Sequence, residues 1–413
     1  MDVLYERCCG LDVHKQTVVA CLIRPSAADR RTKDIRTFGT TTEELQELAD
    51  WLQAADCRPV AMESTGSYWK PVHHVLEASG CEVILVNARH VKQLPRRKTD
   101  VADSEWLADL LQHGLVRPSF VPPRAQRELR DLTRTRTKLT DERSAAVKRL
   151  QQVLEDANLK LAGVATDIMG VSGRAMLAAL VEGTTDPATL AELARGKLRN
   201  KLPALERALS GRVNEHHRLL LALHLSHIDF LDETIERLNQ EIETRLRSVA
   251  EVLERLDTIP GVGRRTAEVL VAEVGLEMRC FPSAAHLASW AGMCPGSYES
   301  AGKRKGGKTR KGNTWLRRAL IEAACAAARN KRTYLAARFR RLLVRRGKKK
   351  AAVAVGHTIL TIAYALLLHG DTYHELTPTY LDDRQRARVQ RRAIDQLQAL
   401  GYEVSLIPRP SAA

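Results

Sequence analysis

The sequence predicts an α/β domain at the amino terminus, followed by a mostly helical region. Three observations lead to this prediction. Strand and helix signals alternate from about Tyr5 to Gly114, two later stretches repeat apolar residues every seven positions, and a glycine hairpin then lies between two helical segments. A chain of 413 residues is long enough for two or more domains, each with its own core.

The elements predicted for the first domain form a mixed sheet with helices on its faces. Three strands open it and are expected to form an antiparallel meander: Cys8 to Asp12, Thr17 to Arg24 and Asp34 to Phe38. Helices and strands alternate after them: a helix from Thr42 to Ala54, a strand ending at Glu63, a helix from Lys70 to Ala78, a strand from Glu82 to Val86 and a helix from Ala102 to Gln112.

Four acidic residues stand at element ends where they could hold a divalent metal. Asp12 ends the first strand, Glu63 ends a later strand, and Asp100 and Asp103 lie three apart where a helix begins, so both project from one face. An oxygen-only cluster suits Mg²⁺ or Mn²⁺, and paired ions stabilise attacking and leaving oxygens in phosphodiester chemistry. Any one of these acids alone could equally be a loop residue or a helix cap. As a set, acids converging from a first strand, a later strand and a terminal helix describe a ribonuclease H-like arrangement.

The charge of the chain points to a polyanionic partner. The formal net charge is +16 and the sequence pI is about 9.7. From Lys303 to Lys350 there are 19 lysines and arginines against one acid, Glu322, so we expect contact with nucleic acid. The basic residues assigned to this contact are Arg96, Arg97 and Lys98, just before the acidic pair, and Lys303, Arg304, Lys305, Lys308, Arg310 and Lys311.

Cysteine usage and hydropathy indicate a cytoplasmic protein. The eight cysteines include no Cys-x-x-Cys pair and lie mostly in apolar segments, as reduced core residues do. Polar residues occupy the amino terminus where a signal peptide would be apolar. The best membrane candidate, Val353 to Leu368, is short and contains His357, so we predict a buried helix and no membrane partner.

Two long helices are predicted to pair as a coiled coil. The first runs from Arg124 to about Leu159, with Arg136 and Arg143 interrupting its apolar seam. The second runs from about Asn214 to Leu256, and Arg245 is its one break. Isoleucine at one heptad position and leucine at the other favour pairing, either within one chain or between two.

The carboxy-terminal part contains a glycine hairpin and a serine. Gly261 and Gly263 separate two helical segments, and such a turn can present backbone N–H groups to a DNA phosphate or serve only the helix-helix geometry. Ser300 lies among small and basic residues with no histidine nearby in sequence, so its hydroxyl lacks a local base. On the residues alone, Ser300 is interpreted as a turn or phosphate-contact residue, and Ser297 is a neighbouring alternative.

These motifs together resemble those of the insertion-sequence-110 transposases. Gly10-Leu11-Asp12-Val13-His14-Lys15, Glu63-Ser64-Thr65-Gly66-Ser67-Tyr68 and Lys98-Thr99-Asp100-Val101-Ala102-Asp103 are similar to the acidic motifs of that family. The glycine hairpin and Glu299-Ser300-Ala301-Gly302-Lys303 resemble its carboxy-terminal signature. Two unrelated sets of motifs occur in the family's order, between about Tyr5 and Asn330.

The resemblance implies a division of the chain and a chemistry. It implies a RuvC-like domain over 1–118 with a DEDD metal site, a helical and coiled-coil connection over 119–256, a transposase domain with a catalytic serine over 257–376, and a tail over 377–413. Asp12, Glu63, Asp100 and Asp103 would bind Mg²⁺, and Ser300 would attack DNA to form a phosphoserine intermediate. Members are guided by a structured non-coding RNA that pairs with donor and target DNA. They assemble as dimers or tetramers in which acids of one subunit can meet the serine of another.

Two other interpretations stay open on the sequence. In the first, the protein is a junction nuclease in which metal-activated water attacks DNA and Ser300 only contacts a phosphate. In the second, it is a basic scaffold that binds nucleic acid without catalysis. All three would bind nucleic acid in a salt-dependent way, so binding alone does not separate them.

Overall fold

The structure is a computed structural model in which the chain forms two compact units, Met1–Pro122 and Pro123–Ala413. It describes residues 3–25, 31–63, 66–86, 100–116, 118–296, 299–300, 303–304, 308–376 and 380–405. In the described residues, the first unit is a five-stranded sheet with helices on both faces, and the second is helical apart from a short ribbon of two strands.

The sheet of the first unit is mixed, as predicted. Its strands are β1 (Cys8–Val13), β2 (Thr17–Pro25), β3 (Arg31–Gly39), β4 (Pro59–Glu63) and β5 (Glu82–Val86). They lie in the order β3-β2-β1-β4-β5. The first three form the predicted antiparallel meander, while β1, β4 and β5 run parallel to one another. This order is ribonuclease H-like, and it puts the carboxyl ends of β1 and β4 at one edge of the sheet.

Helices cover both faces of this sheet because residues of a strand alternate between its faces. The helices are α1 (Thr42–Ala54), α2 (Trp69–Ala78) and α3 (Asp100–Gln112). Leu11 of β1 shares a buried cluster with Leu48 of α1, whereas Cys8 of β1 shares another with Leu107 of α3. Helix α3 begins two residues earlier than predicted, so the acidic pair lies inside its first turn.

The second unit is built mainly from helices. They are α4 (Arg124–Asp156), α5 (Leu161–Val164), α6 (Val171–Glu182), α7 (Pro187–Glu192), α8 (Leu202–Leu209), α9 (Glu215–Leu246), α10 (Ala250–Asp257), α11 (Arg264–Val274), α12 (Ala284–Trp290), α13 (Thr314–Ala327), α14 (Tyr334–Arg346), α15 (Lys348–His369) and α16 (Tyr380–Ala399). Short 3₁₀ segments occur at Gly196–Lys201, Arg247–Val249 and Met278–Cys280.

The two long helices α4 and α9 pack antiparallel within one chain. Polar contacts run along them in opposite directions: Arg245 donates to Glu128 at 2.9 Å, Arg136 to Asn239 at 3.2 Å, and Arg143 Nη2 to Asp232 at 2.9 Å. An apolar cluster that includes Leu150 of α4 and Ile228 of α9 lies beyond them. Of the two pairings left open by the heptads, the chain therefore forms the internal one.

The prediction of one continuous helix from Asn214 to Leu256 is wrong. Helix α9 ends at Leu246, the backbone makes a 3₁₀ turn over Arg247–Val249, and α10 begins at Ala250. The apolar repeat continues across the break, so it gives no warning of it. Leu253 and Leu256 are buried in the carboxy-terminal part, where packing with other helices decides the direction of α10.

Helix α15 is the one described helix that is long and apolar enough to cross a membrane. It packs against α13 and α14, and Val355, Ile359, Leu360 and Ala363 are buried. It is thus a core helix of this unit, in agreement with the prediction of a buried helix. The eight cysteines are free; four in the first unit are buried, whereas Cys280 is exposed and does not belong to a core.

A fully buried carboxylate, Glu273, joins three parts of the second unit. Arg134 of α4 forms a bidentate pair with it, with both N–O distances at 2.7 Å. Arg130 Nε lies 3.5 Å from the same carboxylate, and the side-chain amide of Asn313 donates to it at 2.6 Å. Burial lowers the pKa of Arg130 to about 10, although Glu273 opposes this shift. The network links α4, α11 and the start of α13.

We predict that Glu273→Ala destabilises the protein by about 3 to 5 kcal/mol, because it leaves two guanidinium groups without their buried counter-charge. The measurement is urea denaturation of the full chain. The matched control is Glu243→Ala, which removes an exposed glutamate from α9. Equal losses in the two variants would contradict this role for Glu273.

Candidate active site

Two of the four predicted acids leave adjacent parallel strands at the same edge of the sheet. Leu11 pairs with Met62, so the next residues, Asp12 and Glu63, follow each other across β1 and β4. Side chains alternate along a strand, and the faces of Leu11 and Met62 are taken by the α1 cluster. Asp12 therefore lies on the opposite face of the sheet, where α3 packs.

The absence of a side chain at Gly10 lets α3 approach this strand. A Cβ atom at position 10 would lie 2.2 Å from the carbonyl oxygen of Ser104 and 2.4 Å from the backbone nitrogen of Ala108. Both distances are far below van der Waals contact, and both involve helix backbone, which cannot move alone. Glycine at this position thus sets the distance between β1 and α3, and with it the position of the acids in the first turn of α3.

The structure brings Asp12 and Asp100 together around a residue that the sequence analysis did not assign. His14 Nε2 lies 3.2 Å from Asp12 Oδ2 and 3.4 Å from Asp100 Oδ1. One side-chain atom from each of the three residues falls within 4.8 Å of the other two, a spacing that a single metal ion could bridge. The signal for His14 was present in the sequence, because it follows Asp12 by two residues and so emerges on the same side of an extended chain.

The other two predicted acids lie outside this group of three among the described residues. Asp103 is close enough to Asp12 to act on it electrostatically. Glu63 is placed at the same sheet edge by the register of β4. The structure thus gathers Asp12 and Asp100 directly and positions Asp103 and Glu63 around them.

The electrostatics at Asp12 favour a bound cation. Burial raises the pKa of Asp12, and the nearby carboxylates of Asp103 and Asp100 raise it further, while His14 acts in the opposite direction. A divalent cation would compensate both the desolvation and the repulsion between carboxylates. The donor set, carboxylate oxygens with one imidazole nitrogen, fits the divalent metal expected of an acidic nuclease-like site.

Ser300 lies on a short ribbon. Strands β6 (Glu299–Ser300) and β7 (Lys303–Arg304) pair antiparallel, with Ser300 opposite Lys303. The ribbon is anchored at its base, because Pro295 pairs with Thr309 and the N–H of Gly296 donates to the carbonyl of Lys308 at 2.9 Å. The side chains of the ribbon strands, and Ser297, lie outside what the structure describes.

The glycine hairpin connects α10 and α11, and its two glycines differ in role. Gly261 has a φ of 87°, and a Cβ there would lie 2.3 Å from the carbonyl oxygen of Ala323 in α13. Gly261 is therefore needed for a left-handed turn and for close packing. Gly263 caps α11, is exposed and has open space around it, so the turn can be approached on that side.

The basic residues predicted to contact nucleic acid are described in part. Lys308, Arg310 and Lys311 are exposed at the foot of the ribbon. The backbone of Lys303 and Arg304 forms β7, while Arg96, Arg97, Lys98 and Lys305 lie outside the described residues. Their contacts with nucleic acid stay predictions.

Comparisons with known proteins agree with these features. Residues 9–159 match the transposase family that carries the DEDD domain of IS110 elements, and residues 253–340 match the transposases of the IS116/IS110/IS902 family. The transposase for insertion sequence element IS1111A of Coxiella burnetii is 27% identical over 76% of this chain and 79% of its own length. The pilin gene-inverting protein of Moraxella bovis is 24% identical over 87% of this chain and 94% of its own.

A solved structure, Thermus thermophilus RuvC, is similar over 27% of this chain and 99% of its own, with 12% identity and a TM-score of 0.22. The two matched regions cover the acidic site and the segment with the glycine hairpin and Ser300. The chain therefore belongs to the IS110 family of insertion-sequence transposases, enzymes that act on DNA.

Proposed function

We propose that this transposase cuts and rejoins DNA by attack of the Ser300 hydroxyl on a phosphodiester, with Mg²⁺ at the acidic site and guidance by a non-coding RNA. The observation that carries the proposal is the coexistence of two sites in one chain: acids gathered where β1 meets α3, and a serine on an anchored ribbon. A nuclease that uses water needs only the first of these sites.

The acidic site would hold the metal through Asp12, Glu63, Asp100 and Asp103. When bound, divalent ions would neutralise charge on the phosphate oxygens and make the attacking hydroxyl easier to deprotonate. Gly10 keeps α3 against β1, so the chain fixes the acids before any ligand arrives. His14 lies within hydrogen-bonding distance of Asp12 and close to Asp100, so it is placed to orient both carboxylates.

The serine step conserves a phosphodiester. The Ser300 oxygen forms a bond to phosphorus, the bond from phosphorus to a deoxyribose oxygen breaks, and the proton lost by the serine is balanced by the one gained on the released hydroxyl. Because the phosphoserine bond is close in energy to the bond it replaces, a DNA hydroxyl can reverse the step and rejoin strands without an added energy source. Gene inversion, named for the Moraxella relative, also requires both cutting and rejoining.

RNA guidance and oligomerisation complete the proposal. The net charge of +16 suits a protein that binds more than one nucleic acid. Base pairing with a guide would choose donor and target DNA, so the protein itself needs to read little sequence. A dimer or tetramer would let the acids of one subunit act on the serine of another, and so supply the base that the surroundings of Ser300 lack in sequence.

We predict that Asp12→Asn removes the stabilisation of the protein by Mg²⁺. The raised pKa of Asp12 means that the folded, metal-free protein loses stability as the pH rises through that pKa, because burial and neighbouring acids oppose the charge. In EDTA at pH 7 the variant should therefore melt at or above the temperature of the native protein, and added magnesium should no longer raise its melting temperature. Asp50→Asn, on the exposed side of α1, is the control and should keep the magnesium response. An unchanged response in Asp12→Asn would exclude Asp12 as a ligand.

We predict that Ser300→Ala abolishes a covalent protein–DNA adduct. Labelled DNA that carries the ends of the element is incubated with the protein, its RNA and Mg²⁺, and the adduct is resolved on a denaturing gel. Ser297→Ala is the control and should retain the adduct. Cleavage that persists in Ser300→Ala but disappears in Asp12→Asn would instead favour a metal-dependent junction nuclease that uses water.

We predict that the protein purified from its host carries one discrete RNA. After nuclease treatment of the purified complex, sequencing should recover a protected transcript from the non-coding end of the element. A bare basic protein would protect a random sample of cellular RNA, and this result would remove the guide from the proposal.

A further inference from the structure

A groove of about 1040 Å³ lies beside the foot of the Ser300 ribbon. Its walls come from α14, α15 and the residues that anchor the ribbon, and Pro295 and Thr309 belong to both structures. Its cationic lining residues are Lys308, Arg317, Arg338, Arg346, Lys349 and Lys350. None of the lining residues is acidic.

The positive charge of this groove is poorly compensated by the protein. In the described parts of the chain, no salt bridge joins Arg346, Lys349 or Lys350 to an acid. Arg338 Nε is buried without a hydrogen-bond partner. The positive field is also felt by His357 on the groove wall, where burial and then Arg338 lower the pKa of the imidazole.

The helix that forms one wall adds to this charge. Helix α15 begins with Lys348, Lys349 and Lys350, and no side chain caps its first turn. Cations at a helix amino terminus face the positive end of the helix dipole, which costs stability unless an anion is present. The arrangement is unfavourable for folding alone, and it becomes favourable when phosphates occupy the groove.

The floor of the groove indicates the form of the nucleic acid. Met293, Leu342, Val353 and Ala354 give it an apolar surface below the cations. In a duplex the bases are stacked inside and only the phosphates face outward, so an apolar floor would gain nothing. An unpaired strand exposes base and sugar surfaces, which an apolar floor can cover while cations contact the backbone.

The position of the groove relates it to the scissile strand. Ser300 follows Pro295 by five residues, so their Cα atoms are at most about 18 Å apart. An extended strand crosses this distance in roughly five nucleotide steps at 3.4 Å each. A strand bound in the groove can therefore reach Ser300 directly.

We infer that this groove holds unpaired DNA next to the phosphodiester that Ser300 attacks, with phosphates on the cationic rim and bases over the apolar floor. The assignment to the cut strand rests on the proposed function of Ser300. The chemistry recognised, an unpaired phosphodiester chain with exposed bases, is also present in single-stranded RNA, and the test separates the two.

The experiment compares a rim variant with a variant of equal charge change. The rim variant is Arg346→Ala, Lys349→Ala and Lys350→Ala, and the control is Arg388→Ala, Arg391→Ala and Arg392→Ala on helix α16; all six residues are exposed. Fluorescence anisotropy measures binding of the full chain to a short single-stranded DNA, to the duplex of the same sequence and to the RNA of the same sequence.

The rim variant should lose about tenfold or more in affinity for single-stranded DNA, and its salt slope should fall by about 0.7 for each phosphate that is no longer neutralised. The control should lose less for this probe, and duplex binding should change similarly in both variants. A second variant, Leu342→Gln, should weaken single-strand binding without changing the salt slope, because it alters the floor and no charge. Thermal denaturation checks that each variant is folded.

Equal losses in the rim variant and the control would overturn the inference, and a loss confined to the RNA probe would reassign the groove to the guide. The Ser300→Ala variant separates these results from failure of the proposed chemistry. It should bind single-stranded DNA as the native protein does. If the adduct forms but the rim variant keeps its affinity, the groove is wrong and the serine chemistry stands.

Discussion

The carboxy-terminal unit depends on the buried pairing of Glu273 with Arg134 and Arg130. A carboxylate removed from water is tolerated only when its partners are fixed, and here they come from α4, with Asn313 adding a hydrogen bond. The oxygen of the Asn313 amide also accepts from the first backbone N–H groups of α13. One side chain thus ties the end of the ribbon segment both to the start of a helix and to the buried charge.

The same principle explains the residues that interrupt the apolar seams of the long helices. Arg136 is buried and donates to Glu268 of α11 at 2.6 Å, while Arg245 donates to Glu128 of α4 and Glu241 of its own helix. These arginines look like defects in a coiled coil when only the heptad is considered. In the structure they are the polar points that fix the register of α4 against α9 and attach α4 to the carboxy-terminal helices.

Close backbone approach plays the corresponding role at both candidate sites. Gly10 lets α3 contact β1 and so brings Asp100 to Asp12, and Gly261 lets the hairpin contact α13. Gly292 and Gly312 approach each other in the same way at the two ends of the segment that bears Ser300. Catalytic side chains placed on such rigid contacts need less reordering when DNA binds, and this lowers the entropic cost of reaching a reactive geometry.

The sequence by itself determined the mixed sheet, the helices over it and the edge where the acids lie, because period-two and period-3.6 patterns and apolar strand ends are local properties. It also determined the family, since the acidic motifs and the Ser300 segment occur together in order. Only the tertiary structure decided that α4 and α9 pair within one chain, that α9 ends at Leu246, and that His14 joins Asp12 and Asp100. It also produced the cationic groove. Each of these depends on which distant residues meet, and a local pattern of hydrophobicity or charge does not contain that information.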